Sequence, residues 1–90
     1  DISKIAAAIT QAFIAQNREC HPNIIDFLAL KVTADFEAKI KDGYISVEDI
    51  QDSVESVLVQ AGYADIAKAY ILYSNFFSHF WPNIIFTKYK

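Results

Sequence analysis

Cys20 and His21 stand side by side, a thiol next to an imidazole, the one pairing in the chain that suggests nucleophilic or metal chemistry. Adjacent residues do not face one another on a regular element. The second histidine, His79, is far away in sequence, and there is no second cysteine. A zinc site needs three or four such ligands at closer spacing. Ser46 fits a helix cap better than a nucleophile, and Ser3, Ser53, Ser56, Ser74 and Ser78 have neither a strand–turn–helix elbow nor a histidine at useful spacing. Glu48, Asp49, Asp52 and Glu55 recur at helical spacing, which describes a solvated face more simply than a catalytic carboxylate pair. With only two glycines there is no glycine-rich phosphate loop. The residues therefore argue against catalysis within this chain. No metal ligand set and no tightly held cofactor is expected.

The aromatic run of Tyr63, Tyr70, Tyr73, Phe76, Phe77, Phe80 and Trp81 admits two readings: a base-stacking surface or a packed core. Helical spacing favours the core. These rings cannot all face one way, so leftover aromatic area marks a surface that seeks a partner.

Such residues must be held by one domain, because 90 residues suffice for one core and no more. A hydrophobic fraction of 53% supplies that core, and the scarcity of Gly and Pro, two each, favours long helices. The net charge of −3 and the scattered cations, with only Lys88 and Lys90 close together, leave no basic footprint for nucleic acid. A single cysteine permits no internal disulfide and suits a reducing cytoplasm. Residues 66–86 are apolar, but Lys68, Asn75, His79 and Pro82 interrupt them, so no membrane span is expected. The chain opens at Asp1 inside a helix-initiation signal, without a signal peptide, and reads as a piece of something longer.

Periodicity predicts four helices. Ile2, Ile5, Ile9 and Phe13 line a first helix over residues 3–16, capped by Asp1 or Ser3. Pro22 opens a second at its first position. Its stripe of Ile25, Leu28, Val32, Phe36 and Ile40 runs on until Lys41-Asp42-Gly43, where Gly43 is free to close the helix in the left-handed region. The third start is the sharpest signal: Ser46-Val47-Glu48-Asp49 is a capping-box variant, with Ile45 and Ile50 as its hydrophobic staple. That helix continues through Val54, Val57 and Leu58 and stops at Ala61-Gly62. The fourth runs from Ala64 or Asp65 to about Phe80, with Ile66, Ala69, Tyr70, Tyr73 and Phe77 on one face and Leu72, Phe76 and Phe80 broadening it. Trp81-Pro82 ends it. The fold class expected is all-α, a compact four-helix bundle over residues 1–81, with an apolar tail at 82–90 whose composition is strand-like.

Residues 43–73, GYISVEDIQDSVESVLVQAGYADIAKAYILY, resemble the second half of the ATP-cone, and Asp1-Ile2-Ser3-Lys4-Ile5 resembles the start of that family's first helix. The wording is most like the anaerobic, class III ribonucleoside-triphosphate reductases. The resemblance extends over residues 1–73, with 17–42 agreeing in pattern and length only. It implies a regulatory domain of a ribonucleotide reductase large subunit that senses ATP against dATP through a helical bundle lidded by amino-terminal strands. It also implies site residues: Lys4 toward the phosphates, and Val47 and Gln51 at the start of the third helix. The bland alternative for Lys4 is a solvated first-turn lysine. The opening strands of the family have no counterpart after Asp1, and Ser74–Trp81 replaces its basic segment, so the expectation is that ATP or dATP is a ligand of the complete domain and is not bound tightly by this chain. The alternative function is a degenerate cone that serves as a helical interaction module. Either way the expected partners are the rest of the reductase large subunit and a second copy of the chain.

Overall fold

The structure is a computed structural model that describes residues 2–80 and 86–88, with side-chain surroundings over residues 2–72. Six elements follow in order: α1 (Ile2–Ala15), α2 (Pro22–Glu37), β1 (Tyr44–Ser46), α3 (Val47–Gln60), α4 (Ala64–Phe80) and β2 (Phe86–Lys88). The helices pack in a ring, α1 on α2, α2 on α3, α3 on α4 and α4 back on α1. The four-helix, all-α expectation holds, with a short two-stranded ribbon added.

Each helix ends for a local reason. At the end of α1, Asn17 takes φ 54°, Arg18 N–H donates to the Phe13 carbonyl at 2.9 Å and Asn17 N–H to Ile14 at 3.0 Å. That is a Schellman closure with asparagine in the left-handed position. The end of α3 repeats it with Gly62 at φ 92°, Tyr63 N–H donating to Leu58 at 2.8 Å and Gly62 N–H to Val59 at 3.1 Å. Pro22 occupies the first position of α2, as predicted.

The end of α2 differs from expectation. The helix stops at Glu37, and Ile40 lies beyond it, half-buried against the core. Asp42 (φ 55°) and Gly43 (φ 80°) are both left-handed, and Lys41 and Tyr44 exchange main-chain hydrogen bonds of 2.8 and 2.9 Å. Positive φ at both central residues makes this a type I′ turn, the geometry that an Asp-Gly pair favours. Gly43 is left-handed as predicted, but it serves a hairpin and not a helix cap.

The core is continuous. Ile9, Phe13, Leu28, Val32, Phe36, Val54, Leu58 and Ile66 are almost wholly removed from solvent, and Ile45 joins them from β1. Two expected stripe residues are not interior: Ile2 is 38% exposed and Leu72 is 63% exposed. The aromatic side chains from Tyr73 onward and the Trp81-Pro82 stop lie outside the residues so described. The tail is tied to the bundle, because β2 pairs antiparallel with β1 in the register Tyr44↔Lys88, Ile45↔Thr87, Ser46↔Phe86.

Candidate functional site

The amino end of α3 is built by its own sequence. Ser46 sits extended (φ −73°, ψ 149°), and its Oγ accepts the Asp49 N–H at 3.0 Å. The predicted cap is present, and both staple residues pack into the core, Ile45 fully buried and Ile50 half-buried. Glu48 and Asp49 lie in the first turn, favourable toward the positive end of the helix dipole. Val47 and Gln51 are one turn apart on a single flank of α3, each half-buried. On the opposite flank Lys39, in the connection just after α2, donates from Nζ to Ser53 Oγ at 3.0 Å and reaches the Asp49 carbonyl at 3.4 Å. Sequence reasoning missed this role of Lys39. Its signal was a lysine three residues after Phe36, in the connection that leads to the serine-bearing side of α3.

Lys4 is exposed in the first turns of α1. Its helix and α3 are diagonal in the ring, and their amino ends lie at the same end of the bundle. The opposite ends establish this, since the carboxyl end of α1 and that of α3 meet around Tyr63. The Phe13 and Tyr63 rings stand edge-to-face at 5.2 Å, and Arg18 lies over Tyr63 at 5.5 Å. The fold therefore joins Val47 to Gln51 and places Lys4 at the same end, without packing α1 against α3.

The Cys20–His21 pair is separated. Cys20 is half-buried against the core, while His21 is exposed beside Glu19, Nε2 to Oε2 at 3.6 Å. Among the described residues no three His, Cys, Asp or Glu side chains gather as metal ligands, and no helix is long and apolar enough to cross a membrane. Asp65, in the first turn of α4, is the acid with a displaced titration among the described residues. The hydrogen bond from Arg18 holds its carboxyl below the ordinary value, partly offset by desolvation. Arg18 went unremarked in the sequence because it lies in the polar connection after α1.

Compared with known families, residues 1–78 match the ATP cone domain. The chain belongs to this family. It is a nucleotide-sensing regulatory domain of the ATP-cone type, as the wording of residues 43–73 implies. The cone is 40% identical over 73 residues to the vitamin B12-dependent ribonucleoside-diphosphate reductase of Mycobacterium tuberculosis, covering 81% of this chain and 10% of that one. It is 41% identical over 76 residues to the ribonucleoside-diphosphate reductase subunit alpha of Chlamydia pneumoniae, covering 78% of this chain and 7% of that one. The cone thus spans about a tenth or less of the length of these relatives. No solved structure matches it.

Proposed function

We propose that this ATP cone is the allosteric ATP/dATP-sensing domain of a ribonucleotide reductase large subunit, regulatory and not itself catalytic. The observation that carries the proposal is the family match over residues 1–78, together with relatives that are reductases. The geometry supports it in outline. Two helix amino ends point to one end of the bundle, and such ends attract anionic groups. Lys4 adds a point charge there for phosphate, Gln51 offers hydrogen bonds to a ribose or base, and Val47 offers apolar contact. The domain comprises residues 1–81 and carries residues 82–90 as a tail. The protein works in the cytoplasm as an oligomer and contacts the rest of the reductase chain. The anaerobic class of the parent is supported by the wording of residues 43–73, and lid strands are proposed to lie upstream of Asp1.

The test is calorimetry with ATP and dATP on this chain and on one extended upstream through the expected lid. Binding by the extended chain, weakened about tenfold by Lys4→Ala as loss of one charged contact implies, supports the reading. Absence of binding by both retires Lys4, Val47 and Gln51 as ligands.

A second reading, a cone that has become an interaction module, is favoured by the outer face of α2. Phe27 and Leu30 are 56% and 61% exposed there, and Ile24 lies beside them. Light scattering that reports a monomer at high concentration counts against both this reading and the expected oligomer.

A further inference from the structure

β1 and β2 differ in how they are held. β1 is fixed to the bundle by three local devices. The Asp42-Gly43 turn closes its start through the Lys41–Tyr44 hydrogen bonds, Ile45 is buried to 2% exposure, and Ser46 caps α3. It therefore stands ready whether or not a partner strand is present. Among the described contacts, β2 meets β1 over three residues. A two-stranded ribbon of that length is marginal in water, so β2 can leave while the bundle stays folded.

The register puts this exchangeable strand at a particular place. Phe86 is paired with Ser46, the residue that caps α3 and immediately precedes Val47. Paired strands run about 4.8 Å apart. The main chain at Phe86 therefore lies against the amino end of α3, where a ribose or phosphate using Val47 and Gln51 has to come. On the nucleotide reading of the preceding section, main chain and nucleotide would claim the same space.

We propose that β2 is an autoinhibitory strap: when paired with β1 it closes the amino end of α3, and nucleotide binds the unstrapped form. This rests on the nucleotide reading of the preceding section. A strap closed nine-tenths of the time weakens apparent affinity about tenfold, since only the open fraction is competent. Linkage requires the converse, that bound nucleotide releases the strap.

The experiment uses the full 90-residue chain and its Thr87→Pro variant, which removes the central amide of β2. Thr87→Ala keeps the amide and serves as control. Hydrogen exchange reads the pairing at residues 44–46 and 86–88, the amides of Val54 and Leu58 report that the bundle remains folded, and calorimetry reads ATP affinity. Expected are lost protection at 86–88 in Thr87→Pro with Val54 and Leu58 unchanged, ATP binding about tenfold tighter, and Thr87→Ala close to the parent. Saturating ATP should also lower protection at 86–88 in the parent chain. No protection at 86–88 in the parent overturns the strap and leaves the nucleotide site standing. Protection present but equal ATP affinity in parent and Thr87→Pro overturns the competition alone. If protection is present and none of the three chains binds ATP, the strap's regulatory role falls, and the nucleotide reading stands or falls with the chain extended upstream.

Discussion

Arg18 and Asp65, 47 residues apart in sequence, meet at 2.6 Å where the end of α1 faces the start of α4. Arg18 also lies over Tyr63, which touches Phe13. Phe13 and Arg18 close α1, and Tyr63 closes α3, so residues that terminate two helices also join them. The Arg18 and Asp65 side chains keep 43% and 42% of their exposure, so the ion pair is a solvent-screened one of small stabilising effect.

Its pH signature has a fixed sign. The folded carboxyl of Asp65 titrates below its ordinary value of 3.8, so the contribution is complete above that value and is lost as pH falls through the folded value. Arg18→Ala should move the Asp65 titration back up toward 3.8, followed by carboxyl NMR. The same variant should lose less stability than the parent on acidification below that point.

Ser46→Ala removes the acceptor for the Asp49 amide and should cost about 0.5–2 kcal/mol in urea unfolding. Ser46→Asp retains an acceptor and should recover most of the loss. An unchanged midpoint for the alanine variant would show that the cap contributes nothing.

Gly62 and Asn17 hold equivalent places at the ends of α3 and α1, so they form a matched pair. A side chain at Gly62 meets nothing within 4 Å, so Gly62→Ala isolates the backbone penalty at φ 92°. That penalty should be about 1–2 kcal/mol by thermal or chemical unfolding. Asn17→Gly, at φ 54°, should be neutral or slightly stabilising.

Phe36 is completely buried and sits in the last turn of α2. Phe36→Ala should cost about 3–5 kcal/mol, much of the stability of a domain this small. Leu30→Ser, on the exposed side of the same helix, should change stability by less than about 0.5 kcal/mol. Comparable losses at both positions would mean that the outer face of α2 is covered in solution.

The parts of this fold legible in the sequence were those with local causes. The cap at Ser46, the glycine stop at Gly62 and the proline start at Pro22 each act within a few residues, and α3 and α4 begin and end where expected. The end of α2 was harder because Ile40 continues the four-residue rhythm of Val32 and Phe36, and periodicity alone does not register a turn. Asp42-Gly43 was the missed signal, a hairpin pair with Lys41 and Tyr44 on its flanks. The pairing of β2 with β1 joins segments about forty residues apart, beyond any spacing rule. Within the candidate site, Val47 and Gln51 share a flank because they are a turn apart, which is readable. The placement of Lys4 at the same end as α3 depends on ring order, and the Lys39–Ser53 contact on how α2 lies against α3, neither of which is local.

The two Schellman closures bear on how quickly the chain folds. Phe13 to Arg18 and Leu58 to Tyr63 are loops of six residues, closed by main-chain groups alone. They can form early in the collapsing chain, when little tertiary order exists. Most remaining contacts join helices consecutive in sequence, a local topology that belongs with folding in microseconds to milliseconds. The edge-to-face meeting of Phe13 and Tyr63 closes a long circuit, fastening the end of the first helix to the end of the third. Truncating Phe13 should therefore accelerate unfolding more than it slows folding, whereas Gly62→Ala should act on the folding limb.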